Sequence, residues 1–254
     1  MRILIITQNE PFYLAENLRY LIKILPNHSK IVGAVVTNPS PFGKKESFLN
    51  KAKRTLNIFG IKFFLYYGFK YIKNFFRKNS QVKNVLKENK IIEAKLNKPI
   101  NHIDSINIIK KFKPDLLVSI LGNEIFKKPI INLAKKGCIN LHTALLPKYR
   151  GLMPTFWVLK NNEKFTGVSV FFVDEGIDSG PIIIQKKIAI KDYSQQELIF
   201  ITKKIGMEAI AEAVDKIKKD NFTLIKNDAS KKTYYSFPTR SDVKDFMKKG
   251  KRFY

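Results

Sequence analysis

The sequence predicts an α/β fold with a doubly wound, mostly parallel sheet. Residues 2–7 (RILIIT) form an apolar strand, residues 14–25 a helix and residues 30–37 a second strand, which is the order of a βαβ unit. Strands and helices alternate in the same way farther along the chain. In such sheets ligands bind beyond the carboxyl ends of the strands, so we expect the functional site there.

The later elements lead to the most informative part of the chain. A helix is expected over 105–112, a strand over 115–120 and a helix over 127–136. The first turn, residues 8–14 (QNEPFYL), contains no glycine, and no Gly-Lys-Ser/Thr loop occurs in the sequence. The sequence therefore predicts neither a nicotinamide site nor an ATP site.

A short apolar segment, residues 137–141 (GCINL), is predicted to be a strand that ends at a loop containing proline and glycine. Side chains two positions apart on a strand point to the same face. Asn140 and His142 are therefore expected to project together, while Leu141 faces the opposite layer. An amide and an imidazole would then share one small space.

A second strand is predicted over 166–173 (TGVSVFFV), and it runs into an acidic loop over 174–181 (DEGIDSGP). Asp178 in this loop lies 36 residues after His142. We expect the fold to bring the carboxylate of Asp178 to Asn140 and His142.

An amide, an imidazole and a carboxylate without a serine or cysteine nucleophile fit direct acyl transfer from one bound substrate to an amine on another. Asn140 would donate its amide hydrogens to the developing oxyanion. His142 would share that oxyanion or take the proton of the amine, and Asp178 would fix the orientation of the imidazole. The three residues are the candidate catalytic groups.

These motifs resemble those of the folate-dependent formyltransferases, which include methionyl-tRNA formyltransferases, glycinamide ribonucleotide formyltransferases and nucleotide-sugar N-formyltransferases. The resemblance covers residues 110–190 best and is carried by Asn-x-His, by the Leu-Pro-x-Tyr-Arg-Gly loop that follows, and by the acidic loop. It implies a Rossmann-like formyltransferase fold. It also implies transfer of a formyl group from N10-formyltetrahydrofolate to a primary amine, without a metal.

The resemblance assigns roles to individual residues as well. It implies catalytic roles for Asn140, His142 and Asp178. The residues implied to bind the cosubstrate are Leu121, Gly122, Asn123, Ile125, Asp174, Glu175, Gly176 and Ile177. The residues of the implied substrate loop are Leu146, Pro147, Tyr149, Arg150 and Gly151.

Each candidate catalytic residue has a structural alternative when it is taken alone. Asn140 could be a turn former at a strand end, and His142 could be a hydrogen-bonded core residue. Acids beside glycine commonly solvate a loop. A metal site is not predicted, because His28 and His102 lie far from His142 in sequence and no second histidine lies at ligand spacing.

Composition is consistent with a cytoplasmic protein, and the resemblance implies anionic small-molecule substrates. The chain has 47 basic and 21 acidic residues and a net charge of +26, which attracts RNA, anionic lipid or phosphorylated molecules. A lysine-rich genome would produce the same charge. The single cysteine, Cys138, predicts no intramolecular disulfide and a small buried residue beside the site. No apolar run reaches the length of a membrane span, and no signal-peptide pattern opens the chain.

Residues 44–98 are predicted to be an aromatic and basic insertion. Their middle part, residues 63–76 (FFLYYGFKYIKNFF), contains eight aromatic residues, which on a helix would cover more than one face. One interpretation of residues 61–78 is peripheral contact with a membrane surface. The other is a helix packed on the sheet or in a homodimer contact.

The last quarter of the chain is predicted to begin with a capping box, Ser194-Gln195-Gln196-Glu197, that opens a long helix ending near residue 219. Short strands over 222–225 and 233–237 are expected to give a β-hairpin. Ser241 or Asp242 is expected to cap a final basic helix.

The chain is expected to divide into a catalytic domain over 1–190 and a C-terminal extension over 191–254. Methionyl-tRNA formyltransferases usually append a β-barrel domain, for which this extension is expected to be too short. Glycinamide ribonucleotide formyltransferases bind phosphate through a glycine-serine-asparagine turn after the first strand, which Gln8-Asn9-Glu10 does not match. We therefore expect a nucleotide-activated amino sugar as acceptor. An aminoacyl-tRNA formyltransferase without the usual C-terminal domain, using its basic surface for RNA, is the alternative.

Overall fold

The computed structural model describes residues 1–38, 47–122 and 124–254 and contains one six-stranded sheet and one two-stranded sheet. The strands are β1 (Arg2–Gln8), β2 (Lys30–Thr37), β3 (Leu116–Ile120), β4 (Cys138–His142), β5 (Arg150–Gly151), β6 (Phe165–Phe172), β7 (Ile182–Ala189) and β8 (Tyr234–Tyr235). The helices are α1 (Leu14–Ile24), α2 (Phe48–Phe59), α3 (Ile61–Phe76), α4 (Val82–Glu88), α5 (Ile103–Lys110), α6 (Lys128–Ile131), α7 (Pro154–Lys160), α8 (Gln195–Lys219) and α9 (Arg240–Lys248).

The large sheet has the strand order β2-β1-β3-β4-β6-β7. The first four strands in this order run parallel to one another, whereas β6 is antiparallel to β4 and β7 is antiparallel to β6. The predicted α/β class with a mostly parallel sheet is confirmed. Because β1, β3 and β4 are parallel, their carboxyl ends lie at the same edge of the sheet.

Alternate residues of β1 enter two separate hydrophobic cores. Ile3 and Ile5 pack in a core with buried residues of α1, α4 and α8, whereas Leu4 and Ile6 pack in a core with α5 and α6. Both faces of the sheet are therefore covered by helices, as the near-continuous apolar run of β1 requires. This arrangement confirms the doubly wound sheet.

The long helix α8 begins as its capping box predicts. The Ser194 hydroxyl accepts from the Glu197 backbone N–H at 3.3 Å, and the Glu197 carboxylate accepts from the Ser194 backbone N–H at 2.7 Å. Helix α6 is shorter than the predicted 127–136. It ends before Asn132, and the Lys136 N–H then donates to the carbonyl oxygen of Asp115 at 2.7 Å, which directs the chain into β4.

The predicted C-terminal β-hairpin is wrong. Tyr234–Tyr235 pairs in parallel with Arg150–Gly151, and Ile225 forms an isolated antiparallel bridge with Ile182. The backbone groups of each tail segment therefore form hydrogen bonds with the main body of the protein and not with the other tail segment. The cap of α9 also differs from the prediction, because Thr239 caps the helix and Asp242 is its reciprocal partner at the third helical position.

A third hydrophobic core joins α2, α7, α9 and the end of the chain. Phe156 of α7 stacks on Phe246 of α9 with ring centroids 4.9 Å apart, and Phe246 stacks on Phe253 at 4.7 Å.

The boundary between a catalytic domain and a C-terminal extension at residue 190 stays a prediction. Among the described residues, no helix has the length and apolar character needed to cross a bilayer.

Candidate active site

A cavity of about 630 Å³ lies beyond the carboxyl ends of β3 and β4. It is lined by Asn140 and His142 from β4 and by Asp178 from the loop between β6 and β7, together with residues from α1, α2 and α8. The structure therefore brings together the three residues that the sequence singled out. The volume is in the range of small-molecule sites.

Both ring nitrogens of His142 face a polar partner. Its Nε2 lies 2.7 Å from the carbonyl oxygen of Tyr149, and because a carbonyl oxygen only accepts, Nε2 carries a hydrogen and donates it. Its Nδ1 lies 3.5 Å from Oδ2 of Asp178. The same Oδ2 accepts from the backbone N–H of Gly151 at 2.8 Å. The imidazole and the carboxylate are thus both anchored to the backbone of residues 149–151.

Asn140 lies on the same face of β4 as His142, as the strand alternation predicts. In the register of the sheet it pairs with Ser119 of β3 and with Phe171 of β6. Its side chain lines the cavity and is partly buried, and within residues 1–38, 47–122 and 124–254 its amide has no hydrogen-bond partner. The amide is therefore available to a bound molecule.

The loop that anchors His142 is held by the C-terminal tail. Gly151 has a φ of +96°, and a Cβ at this position would lie 2.3 Å from the carbonyl oxygen of Tyr235. The Tyr149 ring stacks on the Tyr235 ring at 5.2 Å, and its hydroxyl donates to Glu163 at 2.7 Å. Only glycine fits this close approach of two backbones without strain.

Most residues implied to bind the cosubstrate line the cavity. Those that do are Leu121, Gly122, Ile125, Asp174, Gly176 and Ile177. Glu175 does not line it. Its exposed side chain points to Lys128, with Oε2 3.3 Å from Nζ. Asn123 lies outside the described residues.

Only one of the residues in the implied substrate loop lines the cavity. Gly151 lines the cavity, whereas Leu146, Pro147, Tyr149 and Arg150 lie behind it. Leu146 is buried with Phe171 and Ile182, and Nη2 of buried Arg150 donates to Asn227 Oδ1 at 2.7 Å. The geometry therefore gives these four residues a supporting position rather than direct access to a substrate.

The sequence interpretation missed a basic wall of the cavity, which we define as Lys51 and Arg54 of α2 and Lys203 of α8. Lys203 is only 9% exposed, and no acidic side chain among the described residues forms an ion pair with it. Burial lowers the pKa of Lys203, and the charge of Glu10 opposes that shift. The sequence did contain a signal for this position, because Lys203 lies one helical turn before Met207 and therefore on the buried face of α8.

The cavity lining also contains three acids, Glu124, Asp174 and Asp178. Glu124 comes from the loop that leads to α6, on the opposite face of the sheet from α8. The charges of the lining are therefore divided by element, with cations from α2 and α8 and acids from the loops after β3 and β6.

The amino terminus of α1 is closed by a carboxylate of the protein itself. Glu10 accepts from the backbone N–H groups of Phe12, Tyr13 and Leu14 at 2.6, 3.1 and 3.2 Å. A helix amino terminus with free N–H groups is a ready site for phosphate. Here those groups already bind Glu10, so a phosphate would have to displace a negatively charged side chain.

Comparison with known proteins identifies the family of this chain. Residues 73–214 match the family model described as Formyl transferase. Methionyl-tRNA formyltransferase of Thermodesulfovibrio yellowstonii is 44% identical over 121 residues, which are 46% of this chain and 39% of that protein. The chain thus spans less than half the length of this curated relative.

Solved structures of the same fold include two formyltransferases of different kinds. Phosphoribosylglycinamide formyltransferase from Bacillus halodurans has a TM-score of 0.61 at 19% identity, over 85% of this chain and 95% of that one. The N-formyltransferase from Helicobacter canadensis, in complex with folinic acid and dTDP-3-aminofucose, has a TM-score of 0.57 at 20% identity, over 93% of this chain and 71% of that one. At these identities the likeness establishes the fold.

Replacing Lys203 with methionine is expected to raise the free energy of unfolding at pH 7 by roughly 1 kcal/mol or more, because methionine fills the site without a desolvated charge. Burial lowers the pKa of Lys203 in the folded protein below the ordinary lysine value of about 10.4. Between these two pKa values the unfolded state binds more protons than the folded state. Wild-type stability therefore gains from this residue as pH rises through that window, and the advantage of the variant shrinks.

Urea unfolding at several pH values between neutrality and pH 10 measures both effects. Lys204→Met is the matched control, because Lys204 is the exposed neighbour on the same helix, and it should leave the free energy of unfolding nearly unchanged. A Lys203→Met protein that is less stable than wild type at pH 7 would show that the lysine is not buried as a charge.

Proposed function

This chain belongs to the formyl transferase family, and from that premise we propose that it transfers a formyl group from N10-formyltetrahydrofolate to the primary amine of a nucleotide-activated amino sugar. The observation that carries the proposal is the meeting of Asn140, His142 and Asp178 in one cavity. An amide donor, an imidazole and an anchored carboxylate supply what direct acyl transfer to an amine needs from a protein.

The residues at the loop side of the cavity fit a folate. Leu121, Ile125 and Ile177 offer apolar side chains to a flat ring, and the carboxylate of Asp174 can accept from ring N–H groups. When bound, the folate supplies the electrophilic formyl carbon. The relative from Helicobacter canadensis was solved with folinic acid, which supports the same class of cosubstrate here.

Asn140 stabilises the charge that develops during the transfer. As the amine attacks, the formyl oxygen becomes negative, and a donor already in place costs no reorganisation at that moment. The Asn140 amide lines the cavity without a partner among the described residues, which supports this role. An amide satisfied by the protein would have to break a hydrogen bond first.

His142 moves the proton through Nδ1. The Nε2 hydrogen is committed to the carbonyl of Tyr149, so the nitrogen left for exchange is the one beside Asp178. The amine loses a proton as the new C–N bond forms, and Nδ1 accepts it. The bond between the formyl carbon and the folate nitrogen would then break, and Nδ1 would return the proton to that leaving nitrogen. Asp178 then faces the charged ring and, held by the Gly151 N–H, keeps the imidazole in this orientation.

The basic wall supports an acceptor with negative charge. Lys203 is buried without an ion-pair partner among the described residues, so a phosphate of a nucleotide sugar can provide the missing counter-charge. The amino terminus of α1 is closed by Glu10, which disfavours an acceptor whose phosphate binds at that turn. A nucleotide-activated amino sugar satisfies both conditions.

Methionyl-tRNA is the second candidate acceptor. It is favoured by the 44% identity with the methionyl-tRNA formyltransferase of Thermodesulfovibrio yellowstonii. An enzyme that binds tRNA through a basic surface should lose affinity steeply as salt concentration rises. Turnover of a nucleotide sugar with little dependence on salt would count against this candidate.

Asn140→Ala is expected to lower kcat for formyl transfer by about 100-fold to 1,000-fold, the usual cost of losing an oxyanion donor. Because the amide acts mainly on the developing charge, the Kd for folinic acid should change by less than about threefold. Steady-state kinetics with nucleotide amino sugars and calorimetry with folinic acid measure the two effects. Asn221→Ala, which removes an exposed asparagine, is the control. A kcat within about twofold of wild type would refute the role of Asn140.

Lys203→Met is expected to raise KM for a nucleotide amino sugar by about tenfold or more, since one charge-assisted contact to phosphate is lost. The Kd for folinic acid should stay unchanged. Calorimetric titration with dTDP and UDP, compared between Lys203→Met and Lys204→Met, measures the contact without any turnover. Equal nucleotide affinity in the two variants would place the anionic group of the acceptor elsewhere, even if formyl transfer itself is observed.

A further inference from the structure

Helix α3 has one face that packs on the protein. Phe63 stacks on Phe59 and Tyr67, with ring centroids 4.4 and 4.3 Å apart, and Tyr66 stacks on Tyr254 at 3.9 Å. On the same side, the Tyr66 hydroxyl donates to Oε1 of Gln196 at 3.1 Å. These contacts hold α3 against the third core and against α8.

The opposite face of α3 is apolar and exposed. We define the outer stripe as the five residues on this face, each between 56% and 78% exposed: Ile61, Leu65, Phe69, Ile72 and Phe76. Their spacing of four, four, three and four positions places them along one side of the helix over about 22 Å. Exposed Phe48 and Leu49 of the neighbouring α2 add to the apolar surface. Isolated exposed apolar residues are common, but a continuous stripe marks an interaction surface.

Positive charge borders the outer stripe. Lys62 and Lys73 lie next to it on the helix surface, and Arg77 follows the last turn. Helix α3 contains no acidic residue, and the whole chain carries a net charge of +26. A basic helix whose exposed face is apolar and aromatic has the character of helices that lie in the interface of a membrane.

The charges also distinguish between partners. A second copy of this chain, packed stripe to stripe around a two-fold axis, would bring Lys62 and Lys73 of one helix close to the same residues of the other. A bilayer with anionic headgroups instead complements those lysines while its acyl chains cover the apolar side chains. We therefore propose that the outer stripe of α3 binds the surface of an anionic membrane peripherally.

The test uses the full chain and vesicles of defined composition. Wild-type protein is expected to co-sediment with vesicles of phosphatidylglycerol and phosphatidylcholine, and much less with phosphatidylcholine alone. The variant Leu65→Ser/Phe69→Ser/Ile72→Ser changes only the exposed face and should lower the partition coefficient at least about tenfold. Circular dichroism checks that it remains folded.

A second triple variant controls for the loss of exposed apolar residues in general. Leu224→Ser/Phe200→Ser/Ile103→Ser removes the same three residue types from scattered positions that are 47% to 59% exposed, and it should bind vesicles like wild type. Lys62→Glu/Lys73→Glu should reduce binding to the anionic vesicles specifically.

Three results would overturn the proposal: absence of wild-type binding to anionic vesicles, equal loss in both triple variants, or a wild-type dimer that the stripe variant converts to a monomer without any vesicle binding. The last result would assign the stripe to a second copy. None of these outcomes depends on the formyl transfer reaction.

Discussion

The hydrogen bond from His142 Nε2 to the carbonyl oxygen of Tyr149 is the contact on which the site depends. It fixes the hydrogen on Nε2, turns Nδ1 toward Asp178 and ties the end of β4 to the loop that follows. Two residues later, the Gly151 N–H binds the same Asp178 carboxylate. One short stretch of backbone therefore sets the orientation of both the imidazole and its acidic partner. The C-terminal tail is part of this arrangement, because β8 pairs with β5 and Tyr235 stacks on Tyr149.

The polarity of the cavity imposes a second constraint. Lys203 is held without an acidic partner among the described residues in a position where its charge is poorly solvated, which costs stability in the free protein. A residue of this kind gains its counter-charge only when an anion binds. At the amino terminus of α1 the protein supplies its own anion, because the carboxylate of Glu10 accepts from three backbone N–H groups, those of Phe12, Tyr13 and Leu14. Under the proposed function, these two residues favour binding of the anionic acceptor beside Lys203 of α8.

The sequence was sufficient for those features that depend on local periodicity. The two-residue repeat of β4 places Asn140 and His142 on one face, and the capping box fixes the start of α8. It was insufficient where a role depends on tertiary contacts. The contribution of Tyr149 to the site is its carbonyl oxygen, which every residue has, so residue type gives no signal. Lys203 becomes a cavity residue only when α8 packs beside α1. The tail strands were misassigned because their pairing partners lie far away in sequence, at Arg150 and Ile182.

Mass spectrometry of reaction products distinguishes the two candidate acceptors. Purified protein would be supplied with N10-formyltetrahydrofolate, a panel of dTDP- and UDP-linked amino sugars, and methionyl-tRNA in a parallel reaction. One nucleotide amino sugar is expected to gain a formyl group in place of one amine hydrogen, while the corresponding sugar without an amine should be unchanged. Formylation of methionyl-tRNA alone would contradict the proposed acceptor, and the absence of formyl transfer to any amine would contradict the proposed reaction.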